Sequence, residues 1–308
     1  MSYHIVNIDS PNSSLTCRDG QLTCKTSEGE RKLPLEDVAA IIITSFSASI
    51  HSSLFLEAAK QGVALIICES FKPVSLVLPA NRSSDTLLTR ALVDLTPKYK
   101  QQLWRQTIDA KCQNQFILAR HLSPNHKILP ALEISAKSRK DHKEAHSAKL
   151  FWQIFGSSLG NDEFIRARKQ GGLNNLLNYG YAVLLSTILQ KLFALGLDPT
   201  FGISHVIRER CAPLAYDLME PFRPCVDWRV AQWVRQHEAP QTEWEVSPDF
   251  RRWVTAFPLE KVEYLDLNLE IRGCIEGVMR GFRRAVTSGQ SSFYKPWTPR
   301  NSKWAGSS

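Results

Sequence analysis

A change of hydrophobic period near residue 97 constrains the fold of this chain more than any other feature. Up to about residue 80 the apolar residues come in short β-branched runs, YHIVNI, VAAIIIT, VALIIC and VSLVL, separated by turn clusters such as DSPNSS and RDGQ. That is the texture of strands. One helix, predicted over residues 51–61, interrupts them, and Gly62 just beyond it suits a C-cap. The polar, proline-led stretch PANRSSDT reads as a linker. Beyond Pro97, KYKQQLWRQTIDAKCQNQFILARHL sets Leu103, Ile108, Cys112, Phe116 and Ala119 at helical spacing, and further helices are predicted around 143–156, 173–195, 212–220, 225–236 and 260–285. The expected fold class is therefore α+β: an N-terminal β-rich domain over 1–80, a linker over 81–96, and a larger all-α domain over 97–308 with a basic C-terminal tail.

At 308 residues and 43% hydrophobic, the chain has material for two globular domains. No run of about 18 apolar residues occurs and MSYHIVNIDS lacks the regions of a signal peptide, so a cytoplasmic location with no membrane association is expected. The seven cysteines form an odd count without a CxxC pair, which fits reduced thiols. A net charge of +8 and a pI near 9.1 favour a polyanionic partner. From Arg280 onward the chain carries Arg280, Arg283, Arg284, Lys295, Arg300 and Lys303 and no acid, with Phe293, Tyr294, Trp297 and Trp304 interleaved. Such a segment either pairs with phosphates and stacks on bases or is a solvated tail.

Several chemistries lack their motifs. There is no GxxxxGK[ST], no GxGxxG after a strand and no GxSxG, so ATP hydrolysis, dinucleotide binding and α/β-hydrolase chemistry lose their usual support. HKEAH, residues 142–146, resembles a zinc-protease HExxH, but Glu144 sits one position late, on the helix face roughly opposite His142 and His146. In CAPLAYDLMEPFRP, Asp217 and Glu220 stand three apart on one helix face, and Pro221 makes this a last turn or a kink. Acids at a helix C-terminus oppose the macrodipole, so a cation, either an arginine or a metal, is needed nearby. His205 follows the tight connection GLDPTFGISH. Alone it reads as a surface or hydrogen-bonded structural histidine. Taken with Glu144 and Glu220 it completes two carboxylates and one imidazole, a set that suits Mn²⁺ or Mg²⁺ with open positions.

LNYGYAVLLS, GLDPTFGISH, LAYDLMEPFRPCVD and EAHSAKLFWQIFG, together with LEDVAAIIIT and LWRQTIDAKCQNQ, resemble the signature blocks of the CRISPR-associated integrase family, the first-numbered Cas protein of spacer acquisition. The wording of LNYGYAVLLS and DLMEPFRP is similar to versions found with single-effector, type II-like systems. The resemblance implies a metal site of Glu144, His205 and Glu220 holding Mg²⁺ or Mn²⁺, with Asp217 assisting as a fourth catalytic residue. It implies an integrase that inserts prespacer DNA into a CRISPR array, without ATP, by attack of a 3′-hydroxyl on a repeat phosphodiester. It also implies a homodimer formed by the β domain and a heterohexamer with the small ferredoxin-like second-numbered Cas protein. The alternatives are a metal-dependent nuclease acting on branched DNA and a non-catalytic DNA-binding scaffold of the same fold. Within the acid pair, Glu220 is expected to ligate directly and Asp217 to accept hydrogen bonds from a metal-bound water or from Arg223. Because only neutral imidazole ligates, activity is expected to fall in acid. Arg208, Arg210, Arg223, Arg283 and Arg284 are candidate DNA contacts, with an ion pair to Glu220 the other reading for Arg223. SHVIRER and EAHSAK, with Lys149 where arginine is common, depart from the family's usual residues and bear on local DNA contacts.

Overall fold

The computed structural model describes residues 4–69, 72–77, 86–140, 142–167, 171–206, 212–237, 244–299 and 304. The β-branched runs form strands as their period predicts. In chain order they are β1 (His4–Ile8), β2 (Ser14–Arg18), β3 (Gln21–Thr26), β4 (Gly29–Pro34), β5 (Val38–Ile43) and β6 (Ser49–Ile50), then α1 (Ser52–Gln61), β7 (Ala64–Glu69) and β8 (Lys72–Val77). Two four-stranded sheets result, ordered β1-β5-β7-β8 and β4-β3-β2-β6. β5 lies parallel to both β1 and β7. The expected C-cap is present: Gly62 takes φ 70°, the left-handed conformation that closes α1.

All six residues of β5 are buried, because its sheet is covered on both faces. The two-residue period divides them between two cores. Ile41 and Ile43 join Leu15, Leu35 and Leu54 in the core of the β domain, while Ala40 and Ile42 join the core of the helical domain. Through that second face the sheet packs on α6 (Leu173–Ala194), the central helix, which is buried nearly all round. Even so, among the described residues no helix is long and apolar enough to cross a membrane.

The helical part holds α2 (Thr86–Val93), α3 (Pro97–Leu122), α4 (Leu129–Lys137), α5 (Lys143–Ser158), α6, α7 (Pro213–Met219), α8 (Arg223–Gln236), α9 (Pro248–Thr255) and α10 (Ile271–Ser288). The N-terminus of α3 follows from its sequence: Thr96 accepts a hydrogen bond from the Tyr99 N–H and Pro97 opens the first turn. α2 lies inside the segment read as a linker. It is amphipathic, burying Leu88 and Leu92 as it packs on α10. A second correction falls on 260–285, where one helix was expected. Residues 261–270 form a hairpin of β9 (Lys261–Tyr264) and β10 (Leu267–Glu270) instead. Val262 and Tyr264 alternate inward, and Leu265 and Asp266 take φ of 48° and 64°, the positive values of a tight hairpin turn. Among the described residues, the domain expected to be all-α thus carries one β ribbon.

The C-terminal aromatic residues are structural. Tyr294, Trp297 and Trp304 are 1%, 1% and 3% exposed. The Tyr294 hydroxyl meets Thr107 Oγ1 at 2.9 Å, and the Trp297 Nε1–H donates to the Glu263 carbonyl at 3.1 Å. Neither base stacking nor a solvated tail describes them. Their rings complete the core beside α3 and α10. Arg300 and Lys303 lie outside the described residues.

Candidate active site

The break expected at Pro221 builds the site. α7 ends at Met219, Glu220–Phe222 make a single 3-10 turn, and α8 restarts at Arg223 with Pro224 in its first turn. The turn's Pro221 carbonyl accepts from Asn114 Nδ2 at 2.8 Å, and the same amide nitrogen reaches the Trp297 carbonyl at 2.9 Å. Asp217 and Glu220, three residues apart, are thereby given separate partners.

Asp217, fully buried, gathers the 203–205 loop. Its Oδ2 accepts from the N–H groups of Ile203 and Ser204 at 2.7 and 3.0 Å, and its Oδ1 accepts from the His205 N–H at 3.1 Å and from His205 Nδ1 at 2.7 Å. Gly202 permits this wrap: a Cβ there would stand 2.5 Å from the His205 carbonyl oxygen and 2.9 Å from Asp217 Oδ2. The expectation that Asp217 would accept from Arg223 is corrected, since Arg223 pairs with Glu220. Assigning the Nδ1 proton to the bond with Asp217 leaves the His205 Nε2 lone pair free for a ligand. That hydrogen bond, the charge of Asp217 and, more weakly, Glu220 raise the imidazole above its usual pKa against the opposing effect of burial. Trp104 packs edge-on against the ring at 5.8 Å. Asp217→Asn should lower metal affinity and turnover by roughly 10- to 100-fold, the usual loss when a partner behind a ligating histidine is removed. Isothermal titration with Mn²⁺ measures this, and an unchanged affinity would count against Asp217 as the orienting group.

Glu220, 5% exposed at its side chain, meets two cations. Arg223 Nε lies 2.9 Å from Oε1, and Lys111 Nζ lies 2.7 Å from Oε2. Burial would raise the Glu220 carboxyl, but Arg223 and Lys111 outweigh it and hold the pKa below the ordinary value. The same ammonium is 2.6 Å from Glu144 Oε1. Burial would draw the Lys111 pKa down, yet Glu220 and Glu144 keep it above the usual lysine value. The structure thus brings Glu144 and Glu220 together around one positive charge, while His205 is held by Asp217, three residues before Glu220. Among the described residues, no three histidine, cysteine or carboxylate side chains converge as a complete metal cage. Two of the expected donors, Glu144 and Glu220, nevertheless converge on one cation. Glu220 Oε2 is buried and accepts no well-aligned hydrogen bond among the described residues, with the Lys111 ammonium 2.7 Å from it. Glu144 stands apart from the two histidines of its motif, as its spacing implied: His142 precedes α5 and His146 Nδ1 lies 3.2 Å from Ser135 Oγ.

Glu144 lies on the wall of a cleft of about 1030 Å³, whose lining includes Trp104, Arg105, Lys137, Arg139, Lys140 and Lys143. These cations were absent from the sequence-based site. The charge run KSRKDHK was the signal, but nothing in one dimension aims it at Glu144. Lys111 was missed for the same reason. Of the arginines singled out, Arg223 sits against Glu220 and over the Tyr181 ring at 4.7 Å. Arg283 and Arg284 line a separate recess of about 250 Å³, with Arg284 over Phe293 at 3.6 Å. Arg208 and Arg210 lie outside the described residues.

Fold and site together define a class: a β domain packed on a helical domain in which a carboxylate on the wall of a basic cleft shares one ammonium with a second, buried carboxylate. The sequence places the chain more narrowly. It belongs to the Cas1 family of CRISPR-associated proteins, whose family model matches residues 6–256. It is 26% identical over 279 residues to the CRISPR-associated endonuclease Cas1 of Neisseria meningitidis serogroup C (strain 8013), covering 89% of each chain. Its fold resembles that of a casposase bound to integration product, with a TM-score of 0.77, 22% identity, and coverage of 96% of this chain and 94% of that one. It also resembles part of a Cas6-RT-Cas1–Cas2 complex, with a TM-score of 0.77, 15% identity, and coverage of 97% of this chain and 36% of that one.

Proposed function

We propose that the protein is a divalent-metal-dependent DNA integrase that joins the 3′-hydroxyl of prespacer DNA to a CRISPR repeat phosphodiester. The observation that carries this is the meeting of Glu144, on the wall of a basic cleft, with Glu220 around Lys111 in a chain of the Cas1 family, while His205 packs on Trp104 of the same cleft. The casposase captured with its integration product and the relatives called endonucleases support DNA strand chemistry on this fold. The cleft's cations would seat the phosphate backbone and release its counterions. Mg²⁺ or Mn²⁺, held by Glu144, His205 and Glu220, would supply charge stabilisation at the phosphoryl oxygens and lower the pKa of the attacking hydroxyl. Asp217 would hold His205 in its ligating tautomer, and Arg223 would hold Glu220 in place. In the reaction one P–O bond forms to the incoming 3′-oxygen and one breaks, the old strand leaving as a 3′-hydroxyl. No ATP is consumed. The β domain, residues 1–80, would form a homodimer, and the second-numbered Cas protein would join it, in keeping with the Cas1–Cas2 complex of similar fold.

The experiment is a joining assay with a labelled 3′-hydroxyl oligonucleotide, a repeat-bearing duplex and Mn²⁺. A covalently extended strand is expected, and none should form when the oligonucleotide ends in a 3′-deoxy sugar. The relatives' endonuclease names favour cleavage of branched DNA as the second reading. Cut strands without a joined product would select it.

A further inference from the structure

Lys111 stands where the site requires a cation. It projects from α3 with its side chain 11% exposed, and among the described residues it alone bridges Glu144 and Glu220, at 2.6 and 2.7 Å. With Arg223 on the other oxygen of Glu220, two positive charges balance two negative ones. A divalent ion on the same oxygens would sit at about 2.0–2.2 Å from them. An ammonium within 3 Å of both oxygens cannot share that position, and keeping it would leave the cluster with an excess of two positive charges. The flexible four-carbon stem of lysine lets its charge move without breaking the helix. The residues before it, Asp109 and Ala110, line the cleft.

We propose that Lys111 is a positioning residue, a built-in counter-cation that holds Glu144 and Glu220 converged and is displaced toward the cleft when a divalent ion takes their oxygens. This rests on the reading of Glu144, His205 and Glu220 as ligands. Displacement sets the metal affinity of the site below what the carboxylates alone would give. It also frees one positive charge beside the DNA path, so metal and DNA binding each strengthen the other.

Two measurements test it. Lysine acetylation of the intact wild-type protein, read residue by residue by mass spectrometry, should show Lys111 protected in EDTA and labelled faster in saturating Mn²⁺. Lys111→Met should melt at a lower temperature in EDTA yet bind Mn²⁺ more tightly, by roughly 5- to 150-fold, the usual size of coupling between linked events. Lys143→Met removes a cleft cation of equal charge that pairs with Asp109 and, among the described residues, with neither carboxylate, and should change Mn²⁺ affinity far less. Labelling of Lys111 that does not respond to a Mn²⁺ concentration saturating the melting shift overturns the proposal. So does a Lys143→Met effect as large as that of Lys111→Met, which would mean a through-space field and no displacement. If Lys111→Met fails to fold, the wild-type labelling decides. If Mn²⁺ shifts the melting of neither protein and Glu220→Gln behaves like them, the ligand assignment itself has failed and the displacement falls with it.

Discussion

Glu220→Gln should abolish detectable strand joining while leaving a folded protein that still binds duplex DNA, and Glu220→Ala should in addition lower stability by about 3–5 kcal/mol. The two outcomes separate because Glu220 does two things. Its anion is a proposed ligand, and glutamine keeps the shape while deleting the charge. It also neutralises Lys111 and Arg223, whose side chains are 11% and 20% exposed. Glutamine loses the charge but its amide oxygen still accepts from one of these cations, whereas alanine leaves both partly buried with neither anion nor acceptor at that position, the situation in which breaking an ion pair is most destabilising. Glu144→Ala should be equally inactive but close to wild type in stability, since its side chain is 36% exposed and Lys111 keeps Glu220. Joining assays across a Mn²⁺ titration, with thermal melting beside them, read both effects. Near wild-type joining by Glu220→Gln would remove Glu220 from the ligand set, and an unshifted melting temperature for Glu220→Ala would show that the buried charges find other partners.

Trp297→Ala should cost about 3–5 kcal/mol, the usual loss for a buried tryptophan, and deletion of everything after Gly289 should leave no cooperative unfolding transition. Trp297 lies parallel to Phe222 at 5.8 Å and 7°. It donates to the Glu263 carbonyl, and its own carbonyl accepts from Asn114, the side chain that holds the Glu220–Phe222 turn. The damage should therefore reach the site. Trp297→Phe, which keeps the stacked ring and loses the Nε1–H bond, should recover most of the stability. Differential scanning calorimetry decides the matter. A truncated chain that melts like the full one, with a shallower salt dependence of DNA binding, would return the segment to the nucleic-acid arm that its composition suggested.

Periodicity alone determined the order of the architecture. Strands up to about 80 and helices after Pro97 follow from local patterns that survive packing, as the Thr96–Pro97 start of α3 and the Gly62 cap of α1 show. The break between Asp217 and Glu220 was legible too, because proline acts through its own ring on its nearest neighbours. The hairpin at 261–270 was misread because a short amphipathic run satisfies both periods, and its alternation shows only once Val262 and Tyr264 have a core to face. Tertiary structure alone decided which groups each acid meets. The helix break already set Glu220 apart from Asp217, but only packing supplied their partners: the 203–205 loop closes on Asp217 and α3 delivers Lys111 to Glu220. It also turned the tail's tryptophans inward and set the 137–143 cations along the wall that carries Glu144. The reason is the range of the forces. Helix periods, caps and proline breaks act over a few residues, whereas burial and ion pairing depend on which distant segments meet, and that is set only when the whole core has packed.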